Sequence, residues 1–277
     1  MCYARLVITA YDEHWLGAAI DEFTGYSASV IACDCEAGQE QRIFSEMTPD
    51  GRVGASVLVF AFSNDALAKA VQNRVGQCLM TCATTAVFDG LPGSETRFPL
   101  GKQIRYFGDG YQKSKLINGR RYWRIPVMDG EFLVEERIGA AKGIAGGNII
   151  VQAESQGAAL DATRRAVDAI ADLADVITPF PGGVARSGSK VGSRYKALKA
   201  STSDGFCPSL RGRVETQLAD DVNCALEIVI DGCTDEAIRQ AMSIAMRSAA
   251  GDGVVAISAG NYGGKLGKHH FSLRELI

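Results

Sequence analysis

The segment ALEIVIDGCTDEAIRQAMSIAMRSAAGDGVVAISA, residues 225 to 259, decides the fold of this 277-residue chain. Its first part, from Ala225 to Ile230, is a short apolar run interrupted by Glu227, which predicts a strand. Thr234 to Ala249 follows a helical period, and Val254 to Ala259 is a second short apolar run. The segment therefore predicts a strand–helix–strand unit.

A similar unit precedes it in the C-terminal half of the chain. We predict a strand from Asn148 to Gln152, a helix from about Gly157 to Leu173, and a strand and turn from Val176 to Gly183. The two units together give the order strand, helix, strand, strand, helix, strand. That order is typical of a split βαβ motif.

The N-terminal part shows the same order. Its predicted elements are an apolar run from Leu6 to Ala10, a helix through Phe23, a strand from Ala28 to Ala32, a Gly-containing turn EAGQE at 36 to 40, a strand from Ser56 to Phe62 and a helix capped by Asn64 and Asp65. The pattern therefore occurs twice along the chain.

This duplication predicts an α+β protein of two ferredoxin-like lobes, each an antiparallel sheet with helices on one face. We expect an N-terminal lobe over residues 1–146, with an insertion between the lobes from about residue 90, and a C-terminal lobe over residues 147–277. The run KGIAGGN, rich in Gly, is the predicted joint. The second face of each sheet is left open for another role.

Charge is strongly segregated along the sequence. The stretches Arg97 to Met128 and Val176 to Ser203 hold 13 of the 29 basic residues and one of the 32 acidic residues, net +12, while the remainder is net −15. A chain that is acidic elsewhere would repel nucleic acid, but its two basic stretches favour a small polyanionic ligand. We therefore expect no nucleic-acid partner.

Composition also limits the compartment. Apolar runs such as Val57 to Phe62 are too short to cross a bilayer, and the N-terminus lacks a signal-peptide pattern, so we expect a cytoplasmic protein with no membrane contact. The cysteine pairs Cys33/Cys35 and Cys78/Cys82 lack C-x2-C spacing, and the chain has three histidines. We predict no metal site and mostly buried thiols.

The loop ITPFPGGVARSGSKVGSRYK, residues 177 to 196, combines a Pro-Gly turn with small, hydroxyl and basic residues and no acid. Its N–H groups, hydroxyls and cations suit an anion, although a solvated surface loop fits the same composition. The candidate ligand-binding side chains of this loop are those of Arg186, Ser187, Ser189, Lys190 and Arg194.

Runs of residues in a fixed order resemble the formylmethanofuran–tetrahydromethanopterin formyltransferase family over nearly the whole chain. These runs are EAGQE at 36, TPDGR at 48, GQCLMTC at 76, FGDGY at 107, IPVMDGEF at 125, GGN at 146, ITPFPGG at 177, SGSKVGS at 187, EIVIDG at 227 and ISAGNYGGKLG at 257. The segment FGDGYQKSK is closest to the bacterial, methylotroph branch, in which the protein is similar to one subunit of a formyltransferase/hydrolase complex.

The resemblance implies transfer of a formyl group between a methanofuran-type carrier amine and tetrahydromethanopterin, in the oxidation of formaldehyde to formate. It implies no bound cofactor, a homotetramer with sites between subunits, further complex subunits, and carriers with anionic tails that suit the basic stretches. A carrier-holding assembly subunit without catalysis is the alternative. Family members begin with an acidic, aromatic segment absent before Met1, so we expect Met1 to be an internal methionine.

Glu227 is the candidate general acid. Leu226, Ile228 and Ile230 share one face of the predicted strand, and Glu227 lies on the other face, away from the helices. If a neighbouring subunit covers that face, burial would keep the carboxyl group protonated near neutral pH. The pattern by itself favours an exposed strand carboxylate, and the resemblance to the family's EIVIDG run reverses this in favour of catalysis.

Five further residues are candidates for substrate contact. Each also has a structural interpretation: Thr84 follows a packed cysteine pair, while Asp109 and Tyr111 lie in a predicted tight turn. Asn261 and Tyr262 lie in a Gly-rich turn, where they suit either a pterin ring or the turn itself. Direct attack by an amine needs no thiol nucleophile, so Cys78 and Cys82 are interpreted as packing residues.

Overall fold

The computed structural model describes residues 1–188, 190–260 and 269–277. The chain divides into two compact units, Met1–Gly143 and Ile144–Ile277. Ser189, Asn261 and Tyr262, three of the candidate ligand-binding residues, lie outside the described residues. No helix among the described residues combines the length and apolar character needed to cross a membrane.

The N-terminal unit contains a sheet of nine strands with three helices in its described residues. Its elements are β1 Cys2–Thr9, α1 Glu13–Thr24, β2 Glu36–Ile43, β3 Gly54–Ala61, α2 Asn64–Arg74, β4 Ala86–Asp89, β5 Thr96–Pro99, α3 Gly101–Ile104, β6 Lys113–Ile117, β7 Arg120–Val127, β8 Gly130–Glu135 and β9 Arg137–Lys142. Strand order β2-β3-β1-β4 continues through β8, β7 and β6, with β8 parallel to β4. Strand β9 pairs with β1 and β5.

The described residues of the C-terminal unit form a four-stranded antiparallel sheet, two helices and a short ribbon. The elements are β10 Ile144–Ala153, α4 Gln156–Ile170, β11 Val176–Ile177, β12 Lys190–Val191, β13 Ala200–Ser201, β14 Cys224–Gly232, α5 Asp235–Ala249 and β15 Val254–Ser258. Strand order β11-β14-β10-β15 repeats the order of the first four strands of the N-terminal unit. The prediction of two ferredoxin-like lobes related by duplication is confirmed.

Side-chain caps and apolar stripes explain the two helices of the C-terminal unit. Ser155 Oγ accepts a hydrogen bond from the Ala158 N–H at 3.2 Å, and Thr234 Oγ1 accepts one from the Ala237 N–H at 3.1 Å. Such caps satisfy N–H groups that have no partner inside the helix. The buried stripes of α4 and α5 are mostly alanine and methionine, and they pack on the face of the sheet that carries Ile228.

The helices of the N-terminal unit also pack an apolar stripe on the sheet. Leu16 and Phe23 of α1 and Leu67 of α2 are fully buried against Leu6 and Ile8 of β1. Each such side chain contributes roughly 1.5–3 kcal/mol by its removal from water. Both helices therefore cover one face of the sheet, and the sheet itself continues beyond β4 through β8, β7 and β6.

Two predictions in the N-terminal unit are wrong. Residues 28–32 form turns rather than a strand, and EAGQE at 36 to 40 is the first part of strand β2 rather than a turn. Glu40 of β2 is buried and accepts two hydrogen bonds of 2.7 Å from the Arg5 guanidinium. A strand whose inward side chains are charged lacks the apolar alternation by which strands are recognised.

The ends of the helices lie within a few residues of their predicted positions. The cap of α2 is Ser63, whose Oγ accepts from the Ala66 N–H at 3.2 Å, one residue before the predicted Asn64 and Asp65. Helix α4 ends at Ile170 rather than at Leu173.

Candidate active site

Glu227 lies in the middle of β14, on the face of the C-terminal sheet that the helices leave open. The register places Ile150 of β10 opposite Glu227, and Ser258 of β15 opposite Ile150. Ile228 and Ile230 point to the helices and belong to the core. The alternation in the sequence therefore corresponds to two chemically different faces of one strand.

The chain itself buries this glutamate. Glu227 is 3% exposed, because the segment after the Pro-Gly turn forms a bridge to β14. The Ala185 N–H donates to the Glu227 carbonyl at 2.8 Å, and the Glu227 N–H donates to the Ala185 carbonyl at 3.1 Å. The interpretation as an exposed strand carboxylate is wrong, and burial does not require a neighbouring subunit.

A small cavity of about 30 Å³ opens beside Glu227. It is lined by Ile150, Ala185, Arg186, Ser187, Gly188, Ser203, Phe206, Cys207, Ala225, Leu226 and Glu227. Within the described residues, the buried Ser203 Oγ has no hydrogen-bond partner. The volume suits about one water molecule and is far too small for a whole cofactor-sized ligand.

Sequence reasoning missed three polar residues near this face. Gln152 Nε2 donates to Ser258 Oγ at 3.0 Å, and both side chains lie beside the Glu227 row of the sheet. The Asn148 side chain accepts from the Gly260 N–H at 2.7 Å and donates to the Gly260 carbonyl at 3.3 Å. The signal was present, because Asn148 and Gln152 occupy alternate positions of an otherwise apolar strand.

The structure separates the candidate residues of the 177–196 loop into three groups. Arg186 and Ser187 line the Glu227 cavity, and both are exposed. Lys190 Nζ binds both carboxylate oxygens of Asp204 at 2.9 and 3.0 Å, and this hydrogen-bonded ammonium lowers the pKa of Asp204. Arg194 is exposed, and no ion pair of its side chain occurs among the described residues.

Thr84 adopts a backbone conformation that is unusual for its side chain. Its φ is +67°, in the left-handed region that β-branched residues rarely occupy, at a cost on the order of 1–3 kcal/mol. The Thr84 N–H donates to Asp129 Oδ2 at 2.6 Å, and Thr84 Oγ1 accepts from the Tyr11 N–H at 3.0 Å. The Thr84 carbonyl accepts from Arg52 Nη1.

Asp109 and Tyr111 do belong to a tight turn. Asp109 has a φ of +49°, and its N–H donates to the Tyr106 carbonyl at 3.1 Å. The Tyr111 N–H donates to the Gly108 carbonyl at 2.8 Å, which leaves the Tyr111 ring 77% exposed. The turn therefore explains the backbone of both residues, and the side chain of Tyr111 is accessible to a ligand.

Half of the eight basic residues in the stretch from Arg97 to Met128 pair with acids in the folded chain. Acidic residues outside the stretch pair with its arginines: Arg97 with Asp89, Arg120 with Glu135, Arg121 with Glu136 and Arg124 with Glu131. The linear charge count therefore overstates the positive field of this stretch. Lys115 lines an open cleft in the same unit together with Arg52, Tyr122 and Leu133.

All eight cysteines are free thiols. Burial raises the pKa of both Cys78 and Cys82, and the nearby Asp129 carboxylate adds to the rise for Cys82. A thiol nucleophile needs the opposite shift, because the thiolate is the reactive form. The described residues contain no group of three or more His, Cys, Asp or Glu side chains arranged to bind a metal ion.

These features define a two-lobed α+β protein whose C-terminal lobe buries a carboxyl group under a loop of hydrogen-bond donors. Two family models match the chain in sequence: "Formylmethanofuran-tetrahydromethanopterin formyltransferase" over residues 1–127 and "FTR, proximal lobe" over residues 130–276. The formyltransferase of Methylobacillus flagellatus is 52% identical over 99% of this chain and 93% of its own length. That of Methylococcus capsulatus is 51% identical with the same coverage.

Solved structures agree. The formyltransferase of Methanosarcina barkeri superimposes with a TM-score of 0.94 at 46% identity, covering 100% of this chain and 94% of its own. A chain of the formyltransferase/hydrolase complex of Methylorubrum extorquens, crystallised with methylofuran, superimposes with a TM-score of 0.94 at 42% identity. The match covers 99% of this chain and 92% of that chain. This chain belongs to the formylmethanofuran–tetrahydromethanopterin formyltransferase family, and it is a formyltransferase.

Proposed function

We propose that Glu227 is the general acid of the transfer of a formyl group between a methanofuran-type carrier amine and a ring nitrogen of tetrahydromethanopterin. The observation that carries this proposal is the burial of Glu227 under residues 185–188 beside a cavity of about 30 Å³. Burial favours the neutral form of a carboxyl group, which is the form that donates a proton.

The chemistry needs two kinds of donor. One amine attacks the formyl carbon, the carbonyl oxygen takes up the negative charge, and the leaving nitrogen must be protonated before the carbon–nitrogen bond breaks. Glu227 would supply that proton. Arg186 and Ser187 line the same cavity and carry donors that suit the oxyanion. The reaction balances with the two substrates alone, so we propose no permanently bound cofactor.

Assembly and location are also part of the proposal. Because the related chain of Methylorubrum extorquens is part of a formyltransferase/hydrolase complex, we propose that this chain is a homotetrameric component of such a complex. The eight free thiols suit the reducing cytoplasm. We propose no nucleic-acid or membrane partner, since the chain as a whole is acidic, net −3.

A transfer assay tests the activity. Purified chain, given formylated carrier and tetrahydromethanopterin without added metal or nucleotide, is expected to form formyl-tetrahydromethanopterin, measured by its absorbance and by mass spectrometry. The assay is repeated after treatment with a chelator and with co-purified partner subunits. Transfer by the partner subunits in the absence of this chain would instead assign this chain the non-catalytic role of holding the carrier.

The second part of the proposal concerns the carrier tail. We propose that an anionic tail is held by the exposed cations of the Arg186 to Lys199 stretch. Lys190 is already paired with Asp204, so Arg194 and Lys196, both exposed, are the better candidates. Exposed contacts of this kind are individually weak and are screened by salt.

Changing Arg194 and Lys196 together to Gln is expected to raise the KM for a long-tailed carrier roughly 5–10-fold and the KM for a tail-less carrier by less than about twofold. The matched control changes two exposed arginines on the helices of the same unit, Arg164 and Arg247, to Gln. Added salt should reduce the difference between the two carriers. Equal effects on both carriers would contradict the tail proposal.

A further inference from the structure

A short loop in the N-terminal unit is bounded by two unusual backbone conformations. A π-helix spans Val75–Leu79 directly before Met80, and Thr84 has its φ of +67° directly after Ala83. π-helical turns are rare and occur often at functional sites, and left-handed β-branched residues persist only where their surroundings fix them. The loop from Met80 to Ala83 is therefore held in a defined shape at both ends.

Long-range contacts hold Thr84 in this conformation. Each of its three polar atoms bonds to a residue far away in sequence, namely Asp129 in the turn after β7, Arg52 in the turn before β3, and Tyr11 just after β1. Arg52 is itself fixed, because its Nε donates to Asp50 Oδ2 at 2.9 Å and its Nη2 donates to Thr9 Oγ1 at 3.0 Å. We call Arg52 and Asp129 the Thr84 clamp.

The loop and its surroundings present a surface that suits a planar polar ring. Thr81 is exposed, Tyr11 is 75% exposed and Trp15 is 38% exposed. Cys82 Sγ lies 3.6 Å from the Trp15 carbonyl, which places this aromatic residue beside the loop. Aromatic faces stack on flat heterocycles, and hydroxyl and carboxylate groups bond to their edges.

We propose that Asp129 and Arg52 are positioning residues, which hold the Met80–Ala83 loop in the shape that binds tetrahydromethanopterin. This inference rests on the formyl-transfer activity of the chain. Asp129 itself acts through Thr84: its carboxylate fixes the Thr84 N–H and thereby the backbone that presents Thr81. No contact between Asp129 and the substrate is required.

Replacing Asp129 with Ala tests the proposal. We expect the KM for tetrahydromethanopterin to rise roughly 10-fold while kcat and the KM for the carrier change by less than about threefold, because the loop is then free to leave its binding shape. The matched control is Asp21→Ala, which removes an exposed carboxylate from the outer face of α1. It should leave all three constants unchanged.

A second substitution separates positioning from direct contact. Asn adopts the left-handed conformation far more readily than Thr, and its side chain can accept a hydrogen bond. Thr84→Asn should therefore restore most of the tetrahydromethanopterin affinity to the Asp129→Ala variant, as measured by KM and by titration calorimetry. Activity of the unaltered chain is measured first, so that failure of the transfer assay itself is distinguished from failure of this inference.

Three outcomes would overturn the proposal. The first is an unchanged KM for tetrahydromethanopterin in Asp129→Ala. The second is a rise that Thr84→Asn does not reverse, which would mean that the Asp129 carboxylate contacts the substrate directly. The third is a rise in the KM for the carrier instead, which would assign the loop to the other substrate.

Discussion

Replacing Glu227 with Gln is expected to lower kcat by about 100-fold or more while the fold is retained. The amide has the same shape as the carboxyl group, so the buried position between residues 185–188 and β14 stays filled. It cannot release a proton to the leaving nitrogen, however, and the transition state loses its acid. Steady-state turnover at saturating concentrations of both substrates measures the effect.

The matched control is Glu215→Gln, the same change at an exposed position of the C-terminal unit. It should keep full turnover, and both variants should unfold at the temperature of the unaltered chain. A Glu227→Gln variant with turnover within about threefold of normal would remove Glu227 from the chemistry. The acid would then have to come from another donor at the cavity.

Replacing Asp89 with Ala is expected to lower the free energy of unfolding by about 3–5 kcal/mol. The Asp89 side chain is fully buried, its Oδ1 accepts from the Leu91 and Gly139 N–H groups at 2.9 and 3.0 Å, and its Oδ2 accepts from Arg97 Nη2 at 2.6 Å. Removal leaves the two N–H groups without their acceptor and takes the carboxylate at 2.6 Å away from the Arg97 guanidinium, which keeps the Pro92 and Arg137 carbonyls. Urea unfolding of the N-terminal unit measures the loss.

Two further variants test the cause. Asp89→Asn keeps the shape of the side chain and one acceptor oxygen. Its free energy of unfolding should therefore lie between those of Asp89→Ala and the unaltered chain. Glu131→Gln breaks an ion pair with Arg124 whose side chains are 47% and 41% exposed, and it should cost at most about 1 kcal/mol. Equal losses for Asp89→Ala and Glu131→Gln would show that burial does not determine the value of these pairs.

The fold was predicted best where the signal is local. The duplication, the helices α4 and α5 and the strand β14 follow from periodicity and capping residues within segments of about 15 residues. The same local alternation placed Glu227 on the open face of the sheet. It could not show that residues 185–188 cover that face, because the Ala185–Glu227 bridge joins positions far apart in sequence.

Strand β2 shows why part of the fold was not predicted. Its Glu40 faces inward, and the Arg5 guanidinium, 35 residues earlier, makes that burial favourable. A pattern search that treats charged residues as exposed interprets such a strand as a turn. Such a search also favours apolar runs, and it therefore assigned the strand to the apolar residues 28–32, which form turns.

For the candidate site, too, some features follow from neighbouring residues and others from long-range packing. The sequence by itself determined the two-lobed fold and the face on which Glu227 lies, because strand and helix periods are properties of neighbouring residues. The family followed from the resemblance carried by runs of residues in a fixed order. The tertiary structure decided the burial of Glu227, the pairing of Arg97, Arg120 and Arg124 with acids outside their stretch, and the conformation of Thr84. Each of these depends on groups that meet only when distant segments pack together.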